Sequence, residues 1–225
     1  SLQKDSEEGN ICLMLVTKNY LKNLELWLNC TSRVQAYKGR VLLACLDGCD
    51  DETRSLCSQF QNLDIHILPL NPENLSVNGN CKDLSFIWHY KALLTHQLLK
   101  AGFNVIYSDL DSFWLQDINP LINQLQSDSD WSLMIHDNMP LMSYIDLGMT
   151  AGCGFFYAVS KPSTIKLSKK WLKQTKIMLD DQIGFYEMLS NAKTKWEVTP
   201  KAFISHTAHI EVGNKDTSVL ISLIS

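Results

Sequence analysis

Two aspartates, Asp109 and Asp111, stand one residue apart at the point where an apolar segment, residues 104–108, runs out. Carboxylates in this arrangement can converge on one hard cation such as Mg²⁺ or Mn²⁺. The cation would bridge the phosphates of a nucleotide-diphosphate sugar and offset the charge that grows on the departing diphosphate. Because the chain has 24 acidic residues, an Asp-x-Asp arises easily by chance, and the bare tripeptide alone favours two solvated carboxylates. Its place between an apolar strand and the aromatic residues Phe113 and Trp114 favours a ligand site.

Other side chains could complete such a site. Lys91 lies on a predicted helix before the aspartates, where its ammonium could contact phosphate or simply face solvent. Asp181 follows Asp180 at a predicted helix start, where capping alone also favours a carboxylate. Late histidines are competent metal ligands when neutral, although the chain has six histidines. We expect the tryptophans Trp88, Trp114 and Trp171 to pack in the core or between helices, and not to stack on a sugar.

The segments that must position these side chains alternate between strand and helix. Continuous apolar runs predict strands over residues 11–16, 41–46, 65–70 and 104–108, and helical spacing predicts helices over 20–28, 53–60 and 84–99. Later segments predict strands over 132–135 and 153–159 and helices over 162–178 and 181–189. This order indicates an α/β fold with a right-handed, doubly wound, mostly parallel sheet. Such sheets bind ligands at the carboxyl ends of their strands, where Asp109 and Asp111 stand.

Length and composition limit the possible functions. With 225 residues and 45% hydrophobic content, the chain is expected to form a single domain over residues 1–225. A net charge of -4 gives no basic surplus for binding a nucleic-acid backbone, so a nucleic-acid partner is not expected. No apolar run is long enough to span a bilayer, so we expect no membrane segment in this chain. The compartment stays open between the Golgi lumen, for a domain excised from an anchored protein, and the cytosol or a delivered enzyme.

Seven cysteines occur without the spacing of a zinc site. Cys12 and Cys45 lie in apolar runs and are expected to be buried free thiols. Cys49, Cys57 and Cys81 flank loops and could form a disulfide in an oxidising compartment.

One long segment carries a family resemblance. The stretch YKALLTHQLLKAGFNVIYSDLDSFWLQDINPL resembles the core signature of the nucleotide-diphospho-sugar transferase family that contains plant rhamnogalacturonan xylosyltransferases and extensin arabinosyltransferases. Upstream, LVTKNY and VLLACLD resemble the family's first strand and its apolar strand ending in Asp. Downstream, AGCGFFYAVSKPST and DDQIGFYEML resemble its later blocks, so the resemblance covers most of the chain.

The resemblance implies a glycosyltransferase-A, Rossmann-like fold with a mixed, mostly parallel central sheet flanked by helices. It also implies a divalent cation (Mn²⁺ or Mg²⁺) and sugar transfer, with retention of configuration, from a nucleotide-diphosphate donor, expected to be a UDP-sugar, to a hydroxyl of a glycan or protein. Asp181 and Gln182 would form the sugar-side polar pair, and His209, or less favourably His206, would be the third metal ligand. The remaining positions that the resemblance implies are Asp109 and Asp111 for metal and donor, and Thr17, Asn19, Asp47, Lys91, Gly213 and Lys215 for the donor.

Two features of the sequence leave alternatives open. An apolar strand followed by Asp-x-Asp also occurs in haloacid-dehalogenase-type phosphatases, but there it opens the domain, whereas here about a hundred residues precede it. Where the transferase family usually has Asn before Gly-Phe-Phe, this chain has Ala151-Gly152-Cys153, which also admits a degenerate relative that binds nucleotide or glycan without turnover. For a retaining transfer, front-face attack is the expected route, and Asp181 is the one candidate nucleophile for double displacement.

Overall fold

The computed structural model describes residues 9–35, 37–70, 85–114, 116–120, 122–123, 133–136, 152–190 and 204–206. The strands are β1 (Asn10–Val16), β2 (Arg40–Cys45), β3 (Asp64–Pro69), β4 (Asn104–Ser108), β5 (Ser112–Trp114), β6 (Leu133–His136), β7 (Gly152–Ala158) and β8 (Ile204–His206). The helices are α1 (Leu21–Arg33), preceded by a 3₁₀ turn (Lys18–Tyr20), α2 (Asp51–Ser58), α3 (Ser85–Lys100), α4 (Pro162–Met178) and α5 (Asp181–Ser190).

Six strands form one mixed sheet in the order β3-β2-β1-β4-β7-β6. The pairs β3–β2, β2–β1 and β1–β4 are parallel, whereas β7 runs antiparallel to both of its neighbours. Strand β1 lies inside the sheet, and residues 11–14 are completely buried because both faces are covered. The α/β architecture and the mostly parallel sheet agree with the prediction from the sequence.

Capping and helix-stop residues lie at the observed ends of several helices. Asp50 accepts a hydrogen bond from the backbone N–H of Thr53 at 2.9 Å and so caps α2. Pro162 occupies the first turn of α4. Helix α3 ends before Gly102, whose φ of 93° lies in the left-handed region that favours glycine.

Most predicted boundaries fall within one residue of the observed ones. The main exception is α1, predicted over 20–28, which instead starts at Leu21 and extends to Arg33. Its last turn lacks a helix-breaking residue, and Thr31 is buried there. Strand β3 lies at the edge of the sheet and ends at Pro69, as predicted for a strand that closes on proline.

Aromatic rings fill both sides of the sheet centre. Trp114 makes edge-to-face contacts with Trp27 and Phe155, with ring centroids 5.3 and 6.0 Å apart. On α4, Trp171 contacts Phe156 and Phe185 in the same way. The prediction that Trp114 and Trp171 belong to the core is confirmed, since each is 1% exposed.

The described cysteines named in the sequence analysis are all free thiols. Cys12 and Cys45 are buried free thiols, as predicted. Cys49 and Cys57 are also free thiols in this structure, and Cys81 lies outside the described residues. Among the described residues, no helix is long and apolar enough to cross a membrane.

Candidate functional site

A cleft of about 340 Å³ opens at the carboxyl ends of β1 and β4. Because β1 and β4 are adjacent and parallel, their carboxyl ends lie side by side. This end of the strands is where a doubly wound sheet binds its ligand. The ends of β1 and β4, the start of β7 and the starts of α3 and α5 supply the wall. The lining residues used below are Thr17, Lys91, Tyr107, Asp109, Asp111, Cys153, Asp181 and Gln182.

Asp109 sits at the mouth of this cleft in a fixed backbone position. Its N–H donates to the carbonyl of Gly154 at 2.7 Å, so the neighbouring strand β7 holds the residue where β4 ends. Its carbonyl accepts the N–H of Ser112 at 3.1 Å, which closes a tight turn around Asp111. That turn brings Asp109 and Asp111 to the same cleft, as the sequence predicts.

The two carboxylate oxygens of Asp109 have different surroundings. Oδ1 accepts a hydrogen bond from the Tyr107 hydroxyl at 2.7 Å and lies 3.4 Å from the Lys91 ammonium. Oδ2 has no partner among the residues that the structure describes, and 34% of the side chain is exposed. Oxygen ligands that face a polar cleft suit a hard divalent cation, so the donor set fits Mg²⁺ or Mn²⁺. In the described part of the chain, no group of three or more candidate ligands comes together, so further ligands would have to come from elsewhere.

Lys91 is the central cation of the site. Its Nζ lies 2.5 Å from Oδ2 of Asp181 and 3.4 Å from Oδ1 of Asp109, and it also donates to the carbonyl of Cys153 at 3.3 Å. The ammonium stands 4.6 Å from the centre of the Tyr107 ring. Only 4% of the side chain is exposed, so Lys91 is not a solvated lysine on a helix surface.

Charge pairing, and not burial, decides the protonation state of Lys91. Burial alone would lower the pKa of the ammonium, but the carboxylates of Asp109 and Asp181 outweigh it and hold this pKa well above its ordinary value. Burial raises the pKa of Asp109, and Lys91 and the Tyr107 hydroxyl offset part of that rise. The cluster therefore keeps a charged lysine between two carboxyl groups at neutral pH.

Asp181 lines the cleft from the first turn of α5, and the neighbouring Asp180 caps that helix. The Asp180 Oδ1 accepts the N–H of Ile183 at 2.8 Å, so the first turn of α5 does not need the carboxylate of Asp181. The alternative that Asp181 is a capping residue is therefore wrong. The Trp171 indole N–H donates to the carbonyl of Asp181 at 2.9 Å, and the side-chain oxygen of Gln182 accepts the N–H of Cys153 at 3.0 Å.

The nucleotide-side candidates separate in space. Thr17 lines the cleft, and so do Tyr20 and Asn23 from the segment that follows. Asn19 and Asp47 are not part of the lining. Asp47 instead accepts the backbone N–H of Lys18 at 2.8 Å and thereby fixes the turn that follows Thr17.

The late candidates are only partly described. Strand β8 pairs with β5 so that His206 stands opposite Ser112, the residue after Asp111. His209, Gly213 and Lys215 lie outside the described residues. Their assignment to the metal and the donor stays a prediction.

Several residues that line the cleft are not predicted as site residues by the sequence, and Tyr107, Trp88 and Cys153 are the ones with functional side chains nearest the charged cluster or at its wall. The sequence places Tyr107 only on an apolar strand, but from the penultimate position of β4 its hydroxyl donates to the carboxylate of Asp109. Trp88, for which the sequence predicts the core or helix packing, is half-buried and is one of the lining residues of the cleft. Cys153 was noted only as a departure from a family pattern, yet its buried thiol touches both Lys91 and Asp181.

Solved structures share this architecture. LgtC, solved as an active-site mutant, superposes with a TM-score of 0.57 at 16% identity over 80% of this chain and 69% of LgtC. Core-mannan synthase A of Aspergillus fumigatus, solved in a form with Mn and GDP, superposes with a TM-score of 0.52 at 6% identity over 84% of this chain and 72% of its own. At such identities the likeness concerns the fold alone, and it confirms the predicted glycosyltransferase-A type.

Sequence comparison extends the likeness to a family. Beta-arabinofuranosyltransferase RAY1 of Arabidopsis thaliana is 29% identical over 151 residues, which make up 62% of this chain and 26% of RAY1. This chain therefore spans about a quarter of that curated relative. The model of one family, described as nucleotide-diphospho-sugar transferase, matches residues 40–218. The match covers most of the chain, and the chain therefore belongs to the nucleotide-diphospho-sugar transferase family.

Proposed function

We propose that this chain is a metal-dependent glycosyltransferase that moves a sugar from a UDP-sugar to a hydroxyl group of a glycan or protein, with retention of configuration. One observation carries the proposal. A single cleft at the carboxyl ends of β1 and β4 holds Asp109 and Asp111 on one side and Asp181 and Gln182 on the other, with Lys91 between them. The first pair suits the diphosphate end of a donor, and the second pair suits its sugar.

The charges in the cleft support a need for a cation. Among the described lining residues, three carboxyl groups, those of Asp109, Asp111 and Asp181, face one ammonium, that of Lys91. Lys91 is paired with two of these carboxylates, and their negative charges offset the attraction of its ammonium for a phosphate. A nucleotide diphosphate would therefore meet a negative surplus, which a divalent cation on Asp109 and Asp111 would offset. When bound there, such a cation supplies electrostatic stabilisation of the departing diphosphate.

The residues of the chain have separate tasks in this proposal. Asp109 and Asp111 hold the cation, and Thr17 borders the part of the cleft that receives the nucleotide. Asp181 and Gln182 accept and donate hydrogen bonds at the sugar and thereby orient its anomeric carbon. Asn19 lies in the 3₁₀ turn after Thr17, and Asp47 fixes that turn through the backbone N–H of Lys18, so in this proposal both help to shape the nucleotide end of the cleft.

The surroundings of Asp181 favour front-face attack over a covalent intermediate. One of its oxygens is paired with an ammonium at 2.5 Å, and this pairing lowers the nucleophilicity of the carboxylate. Instead, the acceptor oxygen would bond to the anomeric carbon on the face from which the diphosphate departs, as the bond to the diphosphate breaks, and the hydroxyl proton would pass to the departing diphosphate. Attack on this face gives retention. Replacement of Asp181 by Asn would then lower the rate without abolishing it.

The test is calorimetry of UDP binding with and without Mn²⁺. We expect the wild-type protein to bind UDP only when Mn²⁺ is present, and Asp109→Asn and Asp111→Asn each to abolish this binding. Asp51→Asn, an exposed aspartate in the first turn of α2, is the matched control and should bind like wild type. Circular dichroism must show that the Asn variants are folded, because Asp109 also has structural partners. Binding of UDP without metal, or no binding by the wild type, would refute the proposal.

A panel of UDP-sugars then separates an enzyme from a binding protein. The panel should include UDP-arabinofuranose, because the curated relative RAY1 is a beta-arabinofuranosyltransferase. Slow hydrolysis of one donor in the presence of Mn²⁺ would support turnover. If no donor is hydrolysed or transferred while UDP and Mn²⁺ bind, the chain is a degenerate binding relative. Release of phosphate from a phosphomonoester would instead support the phosphatase alternative.

A further inference from the structure

Cys153 lies in the wall of the cleft, where strand β7 begins. It is 3% exposed and lies between Lys91 and Asp181. Nothing in the proposed reaction uses this thiol, and the sequence singles it out only because Ala151-Gly152-Cys153 departs from the pattern of the family. Its contacts give it a role.

Three parts of Cys153 each touch a different site residue. The thiol donates to Oδ2 of Asp181 at 3.3 Å, the carbonyl accepts from Lys91 at 3.3 Å, and the N–H donates to the Gln182 side chain at 3.0 Å. The sulfur also lies 3.7 Å from the ammonium of Lys91. One residue of β7 thus contacts the lysine of α3 and the polar pair of α5.

The thiol and the ammonium engage the same oxygen of Asp181. Both contacts end on Oδ2, and Oδ1 has no partner among the residues that the structure describes. Two contacts to Oδ2 restrict rotation of the Asp181 carboxylate, so the orientation of Oδ1 is fixed as well. Because Asp181 lines the cleft, that second oxygen is the acceptor left for a ligand hydroxyl group.

We propose that Cys153 is a positioning residue, whose thiol, together with Lys91, fixes the Asp181 carboxylate so that its second oxygen accepts a hydrogen bond from a hydroxyl of the donor sugar. This inference rests on the proposed function. The thiol acts as a hydrogen-bond donor and not as a nucleophile, since burial and the neighbouring Asp181 carboxylate raise the pKa of Cys153 and keep the sulfur protonated. No covalent step at sulfur is involved.

The inference predicts that Cys153 affects the sugar and not the nucleotide. UDP lacks the sugar that is transferred. The Mn²⁺-dependent affinity of the protein for UDP should therefore stay within about twofold of wild type when the thiol is lost. Hydrolysis of the UDP-sugar that the wild type uses fastest should slow, because a hydrogen bond to a charged group is lost and the loss costs about tenfold or more in kcat/KM. A serine can replace the thiol as donor to the same oxygen.

The experiment compares Cys153→Ala, Cys153→Ser and Cys57→Ala. Cys57 is a buried free cysteine on α2 outside the cleft lining, so Cys57→Ala creates a similar loss of volume without touching the site. We expect kcat/KM to fall about tenfold or more in Cys153→Ala, to return to within about threefold of wild type in Cys153→Ser, and to stay unchanged in Cys57→Ala. All four proteins should bind UDP and Mn²⁺ alike.

The outcomes separate the inference from the proposed function. If the wild type does not bind UDP with Mn²⁺, the proposed function fails and the inference falls with it. If the wild type binds and turns over donor but Cys153→Ala is as active, the inference alone is overturned. Equal losses in the Ala and Ser variants, together with weaker UDP binding, would indicate a packing role and also overturn it.

A spectroscopic measurement covers the case in which Cys153→Ala does not fold. In the wild-type protein, the S–H stretching band of Cys153 should lie at lower frequency than that of a thiol without an acceptor. Asp181→Asn should shift this band toward the free value, whereas Asp51→Asn should leave it in place. A band that does not respond to Asp181→Asn would overturn the inference without any activity measurement.

Discussion

The substitution Lys91→Met tests whether the ammonium is essential for a stable site. It removes one of the partners of an ion cluster in which Lys91 and Asp181 have side chains only 4% and 8% exposed. Removing one partner from a buried ion pair costs about 3–5 kcal/mol because the other charge stays buried without compensation. The side chain of Asp109 is 34% exposed, so water can solvate its carboxylate once the ammonium is gone. Its contribution to the loss of stability is therefore small, and the lower end of the range applies. We expect the free energy of unfolding to fall by about 3 kcal/mol, and Tm to fall by roughly 6–12 °C.

Urea unfolding at pH 7, followed by tryptophan fluorescence, measures this loss. The control is Lys166→Met, because Lys166 is an exposed lysine on α4 and its loss should change stability by less than about 0.5 kcal/mol. The double variant Lys91→Met/Asp181→Asn should recover part of the loss, since the carboxamide leaves no buried charge unpaired. A loss below about 1 kcal/mol in Lys91→Met would refute this reasoning, as would a double variant no more stable than the single one.

Three further results are expected elsewhere in the fold. Gly39→Ala should lower stability by about 1–3 kcal/mol in urea unfolding, because a new Cβ would overlap the Tyr37 hydroxyl and ring, and an unchanged midpoint would contradict this packing. Trp171→Phe removes the indole N–H that donates to the carbonyl of Asp181 at 2.9 Å, so it should cost about 1–3 kcal/mol in urea unfolding and also slow donor hydrolysis. Cys12 is completely buried, and burial raises the pKa of its thiol far above the usual range, so mass spectrometry should find it unmodified by N-ethylmaleimide until the protein is denatured. Rapid modification in the native protein would show that β1 is accessible.

Much of the fold could be predicted because apolar runs and helix stop signals act locally. The run over residues 11–16 predicts a strand buried on both faces, and β1 is such a strand. The carboxylate pair could be placed at the sheet edge for the same reason, since a strand that ends in Asp-x-Asp delivers both side chains to its carboxyl end. Where the periodicity was weaker, boundaries shifted, as at the end of α1.

The arrangement around Lys91 could not be predicted because it depends on contacts between distant segments. Helix α3 buries residues around much of its circumference, so its sequence does not single out a solvent face for Lys91. The partners Asp109 and Asp181 come from two other elements, and no local pattern brings them to the same ammonium. Cys153 joins them only because β7 runs antiparallel to β4 and therefore starts at the edge where β4 ends.

The reversed strand β7 also determines when the fold can be completed during synthesis. Tyr157 on β7 donates to the side chain of Asn10 on β1, a contact that closes a loop of 147 residues. Contacts of such long range add loop-closure entropy to the folding barrier, and slow folding follows. A nascent chain that has emerged only as far as β4 can pair β1 with β2 and with β4, but it leaves the far edge of β4 without a neighbour. Until β7 emerges from the ribosome, that edge is open to wrong pairing, so the yield of folded protein depends on how fast the later residues are delivered.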